Sequence, residues 1–211
     1  MTAGLRRLNQ IAISPDIIID LGAAQGFWTE KSLTVWPGAK YELVEPLIEQ
    51  LSSLTELKKK HPKIDFHMAV AGESAGEIGL NVSPDLDGSG VYEETNENAR
   101  KVPVVMIDEI VRKSHGTILL KFDTHGYEVP ILNGAKESLK RVTAIVMEVY
   151  GFKISPTCLV FQEMSDYLDK LGFKMVDIVD LIRRPGDQVF WQADAIYIRK
   201  DNPVFEKNSY A

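Results

Sequence analysis

The sequence from Ile17 to Phe27 reads IIIDLGAAQGF, and the rest of the fold can be worked out from it. A short run of β-branched apolar residues that ends in small residues is typical of a strand buried on both faces. From Gln25 to Trp36 the apolar residues return at helical spacing, so a helix is predicted there. Strand, glycine loop and helix form the unit that places a nucleotide-like ligand at a helix amino terminus.

The spacing of the glycines in this loop selects between ligands. A dinucleotide-binding loop follows the pattern G-x-G-x-x-G, whereas here Gly22 and Gly26 stand four positions apart and no third glycine follows in place. Asp20 adds a negative charge where a phosphate would be repelled. S-adenosylmethionine (SAM) carries an amino-acid end, a sulfonium and a ribose but no phosphate, so it fits better; a plain tight turn is the alternative. The residues predicted to contact the cofactor here are Asp20, Gly22, Ala23, Gly26 and Phe27.

A second predicted strand, Lys40 to Glu45, also ends in an acid. Glu45 follows Asp20 by 25 positions, and in nucleotide-binding α/β folds a carboxylate about 20 residues on accepts hydrogen bonds from ribose hydroxyls. Pro46 then sets the turn into the next helix. We therefore assign Glu45 and Pro46 to the cofactor site; an exposed acid at a strand end is the alternative for Glu45.

Composition favours one globular domain over residues 1–211. The net charge of −6 argues against a nucleic-acid partner, because phosphate neutralisation needs a basic surface. The single cysteine, Cys158, excludes an internal disulfide and suits a reducing cytoplasm. We see no signal peptide and no apolar run long enough to span a membrane. No feature of the sequence indicates an oligomeric state.

Predicted strands and helices alternate along most of the chain, which indicates a mostly parallel sheet with helices on both faces. Only Asp180 to Gln188 separates the last two strands, too little for a helix, so an antiparallel hairpin is expected at the sheet edge. A helix is predicted over Val129–Arg141. Residues 72–100 are rich in polar residues and glycine, and we predict a loop with one short strand over Glu77–Val82 that helps cover the substrate or cofactor; ordinary disorder is the alternative.

The fourth long strand, Thr117–Phe122, carries polar residues where a ligand is expected. Asp123 and His125 follow it directly, and ligands of open α/β sheets bind outside the carboxyl ends of the strands. Lys121 lies inside the strand and needs a partner, because a lone buried ammonium is costly. Glu148 ends the next strand and would lie nearby. Lys121, Glu148 and Tyr150 are predicted to contact the substrate.

Histidine is the side chain best suited to remove a hydroxyl proton near neutral pH. His125 is therefore the predicted general base, with Asp123 to orient it or to bind the substrate; a turn-capping role for His125 is the alternative. Asp123, His125 and Glu148 could instead hold a divalent cation, but the spacing of the first two is a weak indication. No metal site is predicted from the sequence.

These segments resemble the FkbM-type SAM-dependent methyltransferases. The first stretch, DLGAAQG from Asp20 to Gly26, is similar to that family's first motif, and Glu45-Pro46 is similar to its ribose-binding motif. The segment KFDTHGYE from Lys121 to Glu128, followed by LNGA from Leu132, is similar to its most distinctive segment. His125 stands where many members have glutamate, so its role as the base rests on the local argument alone.

The resemblance implies a Rossmann-like, seven-stranded class I methyltransferase sheet, and methyl transfer from SAM to a hydroxyl of a sugar or natural product. Two other classes of function stay open. One is an NAD(P)-dependent oxidoreductase, which the missing third glycine disfavours; the other is a non-catalytic module of the same fold that binds a partner. N-methylation is disfavoured because no Asn/Asp-Pro-Pro-aromatic motif follows the fourth strand.

Overall fold

A computed structural model describes residues 1–92, 99–207 and 209. Its strands are β1 (Ile17–Leu21), β2 (Lys40–Val44), β3 (Ile64–His67), β4 (Val70–Ala71), β5 (Gly76–Leu80), β6 (Arg100–Val105), β7 (Ile118–Phe122), β8 (Val142–Tyr150), β9 (Phe173–Arg183) and β10 (Phe190–Arg199). Its α-helices are α1 (Thr2–Gln10), α2 (Phe27–Leu33), α3 (Leu51–Lys60), α4 (Ile107–Ile110), α5 (Glu128–Asn133) and α6 (Phe161–Lys170). Short 3-10 helices cover Ile48–Gln50, Ser138–Arg141 and Pro203–Glu206.

The main sheet has seven strands in the order β3-β2-β1-β7-β8-β10-β9. The pairs among β3, β2, β1, β7 and β8 are parallel, whereas β10 runs antiparallel to both of its neighbours. The mostly parallel sheet and the antiparallel hairpin at its edge are thus confirmed. The strand order reverses between β1 and β7, and such a reversal leaves a crevice at the carboxyl ends of the strands.

Alternation along β1 explains the two layers of helices. Ile17 and Ile19 belong to the core cluster that includes residues of α4, α5 and α6, whereas Ile18 belongs to the opposite cluster with residues of α1 and α3. All five residues of β1 are buried. A central parallel strand has helices on both faces, so its residues are apolar almost throughout; Asp20 is the exception.

The described part of the segment 72–100, residues 72–92 and 99–100, contains more regular structure than the predicted loop. Its strand β5 pairs antiparallel with β6, and β4 pairs parallel with β6, which makes a separate three-stranded sheet. Leu80 and Val102 of this sheet pack with Leu47 in a small third cluster. The predicted short strand therefore exists, one to two residues earlier than expected. Residues 93–98 of the predicted loop lie outside the described residues.

The predicted helix over Val129–Arg141 is wrong in its length, because α5 ends at Asn133 and a 3-10 turn covers Ser138–Arg141. Close packing explains the interruption. A Cβ on Gly134 would lie 2.0 Å from the carbonyl oxygen of Gly72, so the backbone of α5 meets the segment after β4 there. Glycine, which has no Cβ, permits that approach.

Among the described residues, none of the helices has both the length and the apolar character needed to cross a lipid bilayer.

Candidate active site

A cavity of about 310 Å³ lies outside the carboxyl ends of β1, β2, β7 and β8. The loops that follow these strands line one side, and residues between Leu80 and Val91 line another together with Tyr127. Its acidic and histidine lining residues are Glu45, Asp87, Asp123, His125 and Glu148. None of the described residues that line it is a lysine or an arginine. The cavity therefore suits a cationic or neutral ligand better than a phosphate.

The loop after β1 is closed tightly against its neighbours. The backbone N–H groups of Gly22 and Ala23 donate hydrogen bonds to the carbonyl oxygen of Val44, at 3.0 and 3.2 Å. Gly22 has φ of +73°, and a Cβ there would lie 1.9 Å from the carbonyl oxygen of Asp123. Only glycine accommodates both the left-handed conformation and the close approach. Gly26, with φ of +85°, precedes the first residue of α2.

Asp20 lies beneath this loop, fully buried. Its Oδ2 accepts a hydrogen bond from the Thr29 hydroxyl at 2.6 Å, and its Oδ1 lies 3.3 Å from Lys121 Nζ. Burial raises the pKa of Asp20, and the charge on Lys121 offsets part of that rise. Burial alone lowers the pKa of Lys121, but Asp20 and Asp123 outweigh it and the net direction is upward. The lysine is therefore an ammonium held between two carboxylates.

Glu45 reaches the cavity at the end of β2 and is 4% exposed. Its Oε2 accepts a hydrogen bond from the backbone N–H of Ala24, and its Oε1 accepts one from the backbone N–H of Leu47, both at 2.8 Å. Burial raises the pKa of Glu45, and these two backbone hydrogen bonds act in the opposite direction. The carboxylate is thereby fixed between the loop after β1 and the start of the next helical segment. Each oxygen keeps further acceptor capacity for a ligand hydroxyl.

Three titratable side chains meet in the part of the cavity next to β7 and β8. His125 Nε2 lies 3.4 Å from Asp123 Oδ1 and 3.8 Å from Glu148 Oε2. Burial raises the pKa of Asp123, but the charge on Lys121 and the neighbouring His125 ring reverse the shift, and the net direction is downward. Burial, followed by the charge of Asp123, raises the pKa of Glu148 to about 8. Because the pKa of Asp123 is lowered and that of Glu148 is raised, the negative charge of the pair resides mainly on Asp123.

His125 is held in position by its backbone and by its other ring nitrogen. Its φ is +53°, an uncommon left-handed conformation for a residue other than glycine. Its Nδ1 lies 3.1 Å from the carbonyl oxygen of Ser89. A carbonyl only accepts, so this contact assigns the proton to Nδ1 and the lone pair of the neutral ring to Nε2. Nε2 is the atom that faces the two carboxylates.

Glu148 is oriented by partners from the edge of the sheet. The Tyr150 hydroxyl donates to Oε2, and the Gln192 side-chain amide donates to Oε1. Gln192 pairs with Tyr150 in the register of β10 against β8. Sequence reasoning missed Gln192 and Ser89, since no local pattern reveals which strand or loop lies beside Glu148 or His125.

The structure brings only some of the predicted site residues to the cavity surface. Those that line it are Gly22, Glu45, Pro46, Asp123, His125 and Glu148. Those outside its lining are Asp20, Ala23, Gly26, Phe27, Lys121 and Tyr150. Phe27 is 63% exposed at the start of α2. Lys121 and Tyr150 each contact a lining residue instead, Asp123 and Glu148 respectively.

Several solved structures share this fold. A methyltransferase FkbM from Methylobacillus flagellatus matches with a TM-score of 0.58 and 17% identity over 87% of this chain and 43% of its own. A 1,6-didemethyltoxoflavin-N1-methyltransferase from Burkholderia thailandensis, with bound S-adenosylhomocysteine, matches with a TM-score of 0.53 and 11% identity over 95% of this chain and 76% of its own. An rRNA methylase from Streptococcus thermophilus matches with a TM-score of 0.51 and 9% identity over 93% and 94%.

The fold is that of the class I SAM-dependent methyltransferases. The family model described as the methyltransferase FkbM domain matches residues 20–175, and the chain belongs to that family. It spans less than half the length of the Methylobacillus enzyme. No curated protein matches the sequence.

Proposed function

We propose that this protein transfers a methyl group from SAM to a hydroxyl of a sugar or natural-product acceptor. The observation that carries the proposal is that the cluster of Asp123, His125 and Glu148 lines the same cavity as Glu45. Glu45 provides a fixed acceptor for ribose hydroxyls on one side. Asp123, His125 and Glu148 line the cavity near β7 and β8, where we expect the acceptor, and His125 is the proton acceptor among them.

Bound SAM supplies an electrophilic methyl group on a positively charged sulfur. The acidic lining stabilises a positive charge in the cavity, and the absence of Lys and Arg from its described lining disfavours a dinucleotide. A hydroxyl attacks only as its proton is removed, and the Nε2 lone pair of His125 is positioned to take that proton. Holding both reactants in line supplies the rest of the rate enhancement.

The cofactor half of this proposal is tested by calorimetric titration with S-adenosylhomocysteine, the product. We expect micromolar binding, weakened about tenfold or more in Glu45→Ala, because hydrogen bonds to a charged group contribute about 1.5–3 kcal/mol. Glu45 also holds two backbone amides, so thermal unfolding must first establish the temperature at which the variant is folded.

Glu49→Ala is the matched control, since Glu49 is a nearby acid that pairs with Arg100 outside the cavity. Its affinity should equal that of the wild type. Equal affinities for all three proteins would remove Glu45 from the cofactor site, and no binding to the wild type would contradict the SAM proposal.

The catalytic half is tested by His125→Ala with labelled SAM and a panel of glycans and natural-product hydroxyls. We expect turnover to fall about 10²–10⁴-fold, the usual contribution of a positioned proton acceptor. Affinity for S-adenosylhomocysteine should be unchanged. His115→Ala, at an exposed turn, is the control. Near-normal turnover in His125→Ala would show that another group handles the proton.

A further inference from the structure

The cluster of Asp123, His125 and Glu148 has the geometry of a set of metal ligands. One ligand atom from each residue lies within 4.8 Å of the other two. The separations from His125 Nε2, 3.4 Å to Asp123 Oδ1 and 3.8 Å to Glu148 Oε2, are spanned by one ion with ligand distances of about 2.0–2.2 Å. Within the described part of the chain, no other three His, Cys, Asp or Glu side chains come together in this way.

The hydrogen bonding of His125 leaves an acceptor atom facing the cluster, as a cation ligand requires. Because its Nδ1 proton points to the Ser89 carbonyl, its Nε2 presents a lone pair to two carboxylate oxygens. In their unprotonated forms all three facing atoms are acceptors, so an added proton or a cation is needed between them. A ligating histidine commonly donates its second ring N–H to a carbonyl in this manner.

The two carboxylates are also oriented by hydrogen bonds from side chains outside the cluster, as metal-ligating carboxylates are. Lys121 Nζ donates to Asp123 Oδ2 at 3.2 Å, which leaves Oδ1 toward His125. Tyr150 and Gln192 donate to the two oxygens of Glu148. Each of the three ligand groups therefore has a partner that fixes its orientation toward a common point.

We propose that Asp123, His125 and Glu148 bind a divalent cation such as Mn²⁺ or Mg²⁺, with open coordination positions facing the cavity. One imidazole with two carboxylates is a mixed donor set, and carboxylates with water favour Mg²⁺ and Mn²⁺. Cation binding stands on this geometry alone. Its use in catalysis rests on the proposed methyl transfer to a hydroxyl.

In that reaction a bound cation would take the acceptor hydroxyl as a ligand and lower its pKa. The Nε2 lone pair of His125 would then be engaged by the cation, so water would replace His125 as the proton acceptor proposed above for the cation-free site. The O–H proton passes to a water molecule in the cavity. The electron pair on oxygen forms the new O–CH₃ bond as the C–S bond breaks. The electron pair of the C–S bond goes to the sulfonium, which becomes the neutral thioether of S-adenosylhomocysteine.

The test uses Mn²⁺ as the probe, titrated into the full chain after treatment with a chelator and followed by electron paramagnetic resonance of the free ion. We expect one saturable site. Asp123→Asn, Glu148→Gln and His125→Gln should each weaken it at least tenfold, with folding verified by thermal unfolding. Asp87→Asn is the control, because Asp87 is a carboxylate on the same cavity outside the cluster, and it should keep the affinity of the wild type.

A wild-type protein that binds no Mn²⁺, or whose affinity survives all three substitutions, would overturn the cation site. A second measurement on the wild type needs no variant, namely turnover with and without chelator. Turnover that is equal in both would remove the cation from catalysis and leave the methyltransferase proposal standing. Saturable Mn²⁺ binding at the cluster without methyl transfer to any hydroxyl would support the site while contradicting the proposed function.

Discussion

Gly22→Ala should destabilise the protein by about 3 kcal/mol or more and abolish binding of S-adenosylhomocysteine. The left-handed backbone costs an alanine about 1–2 kcal/mol, and overpacking adds about 1–3 kcal/mol. The new Cβ would lie 1.9 Å from the Asp123 carbonyl oxygen, so the loops after β1 and β7 would have to separate. Denaturant unfolding measures the first effect and calorimetry the second.

Gly38→Ala is the matched control for this substitution. Gly38 lies in the turn before β2, and a Cβ there meets nothing within 4 Å. Its free energy of unfolding should stay within about 0.5 kcal/mol of the wild type. If Gly22→Ala were as stable as Gly38→Ala and still bound S-adenosylhomocysteine, the close contact between the two loops would be wrong.

Lys121→Met should destabilise the protein by about 3–5 kcal/mol, the usual cost of removing one partner of a buried ion pair. Lys121 is 3% exposed, and its ammonium lies 3.3 Å from Asp20 Oδ1 and donates to Asp123 and to the carbonyl oxygen of Gly22. Methionine retains the bulk but leaves the Asp20 carboxylate buried with no opposite charge. Denaturant unfolding of the variant and the wild type measures the loss.

The double variant Asp20→Asn/Lys121→Met should recover at least half of that loss. Asparagine keeps a carbonyl oxygen for the Thr29 hydroxyl and carries no charge. Lys59→Met is the control for removing a lysine, since its pair with Glu56 is exposed to solvent and should contribute little to stability. No recovery in the double variant would mean that Lys121 acts through Asp123 or through packing.

The elements that could be predicted well from the sequence are those with a local cause. Runs of apolar residues such as Ile17–Ile19 indicate buried strands. The return of apolar residues at helical spacing indicates where the glycine loop ends. The helix over Val129–Arg141 was predicted too long because its interruption at Gly134 depends on the segment after β4. That neighbour is distant in sequence, so no local pattern reports it.

The site residues also fall into those whose position could be predicted from the sequence and those whose position could not. Glu45, Asp123 and His125 follow strand ends, and a parallel sheet gathers such ends at one edge, so their meeting at the cavity could be expected. Asp20 also ends a strand, yet its side chain lies beneath the loop against Thr29 and Lys121. Which face of β1 a side chain occupies relative to the cavity depends on the twist and packing of the whole sheet.

The local pattern of the chain thus determined the alternation of strands and helices, the glycine loop and the acids at the strand ends, because these follow from burial and backbone torsion within a few residues. Tertiary structure alone decided that Ser89 meets His125 and that Gln192 meets Glu148. Those contacts join residues 36 and 44 positions apart through strand pairing and the small second sheet. Pairing partners are chosen by the packing of the complete fold, which no short stretch of sequence contains.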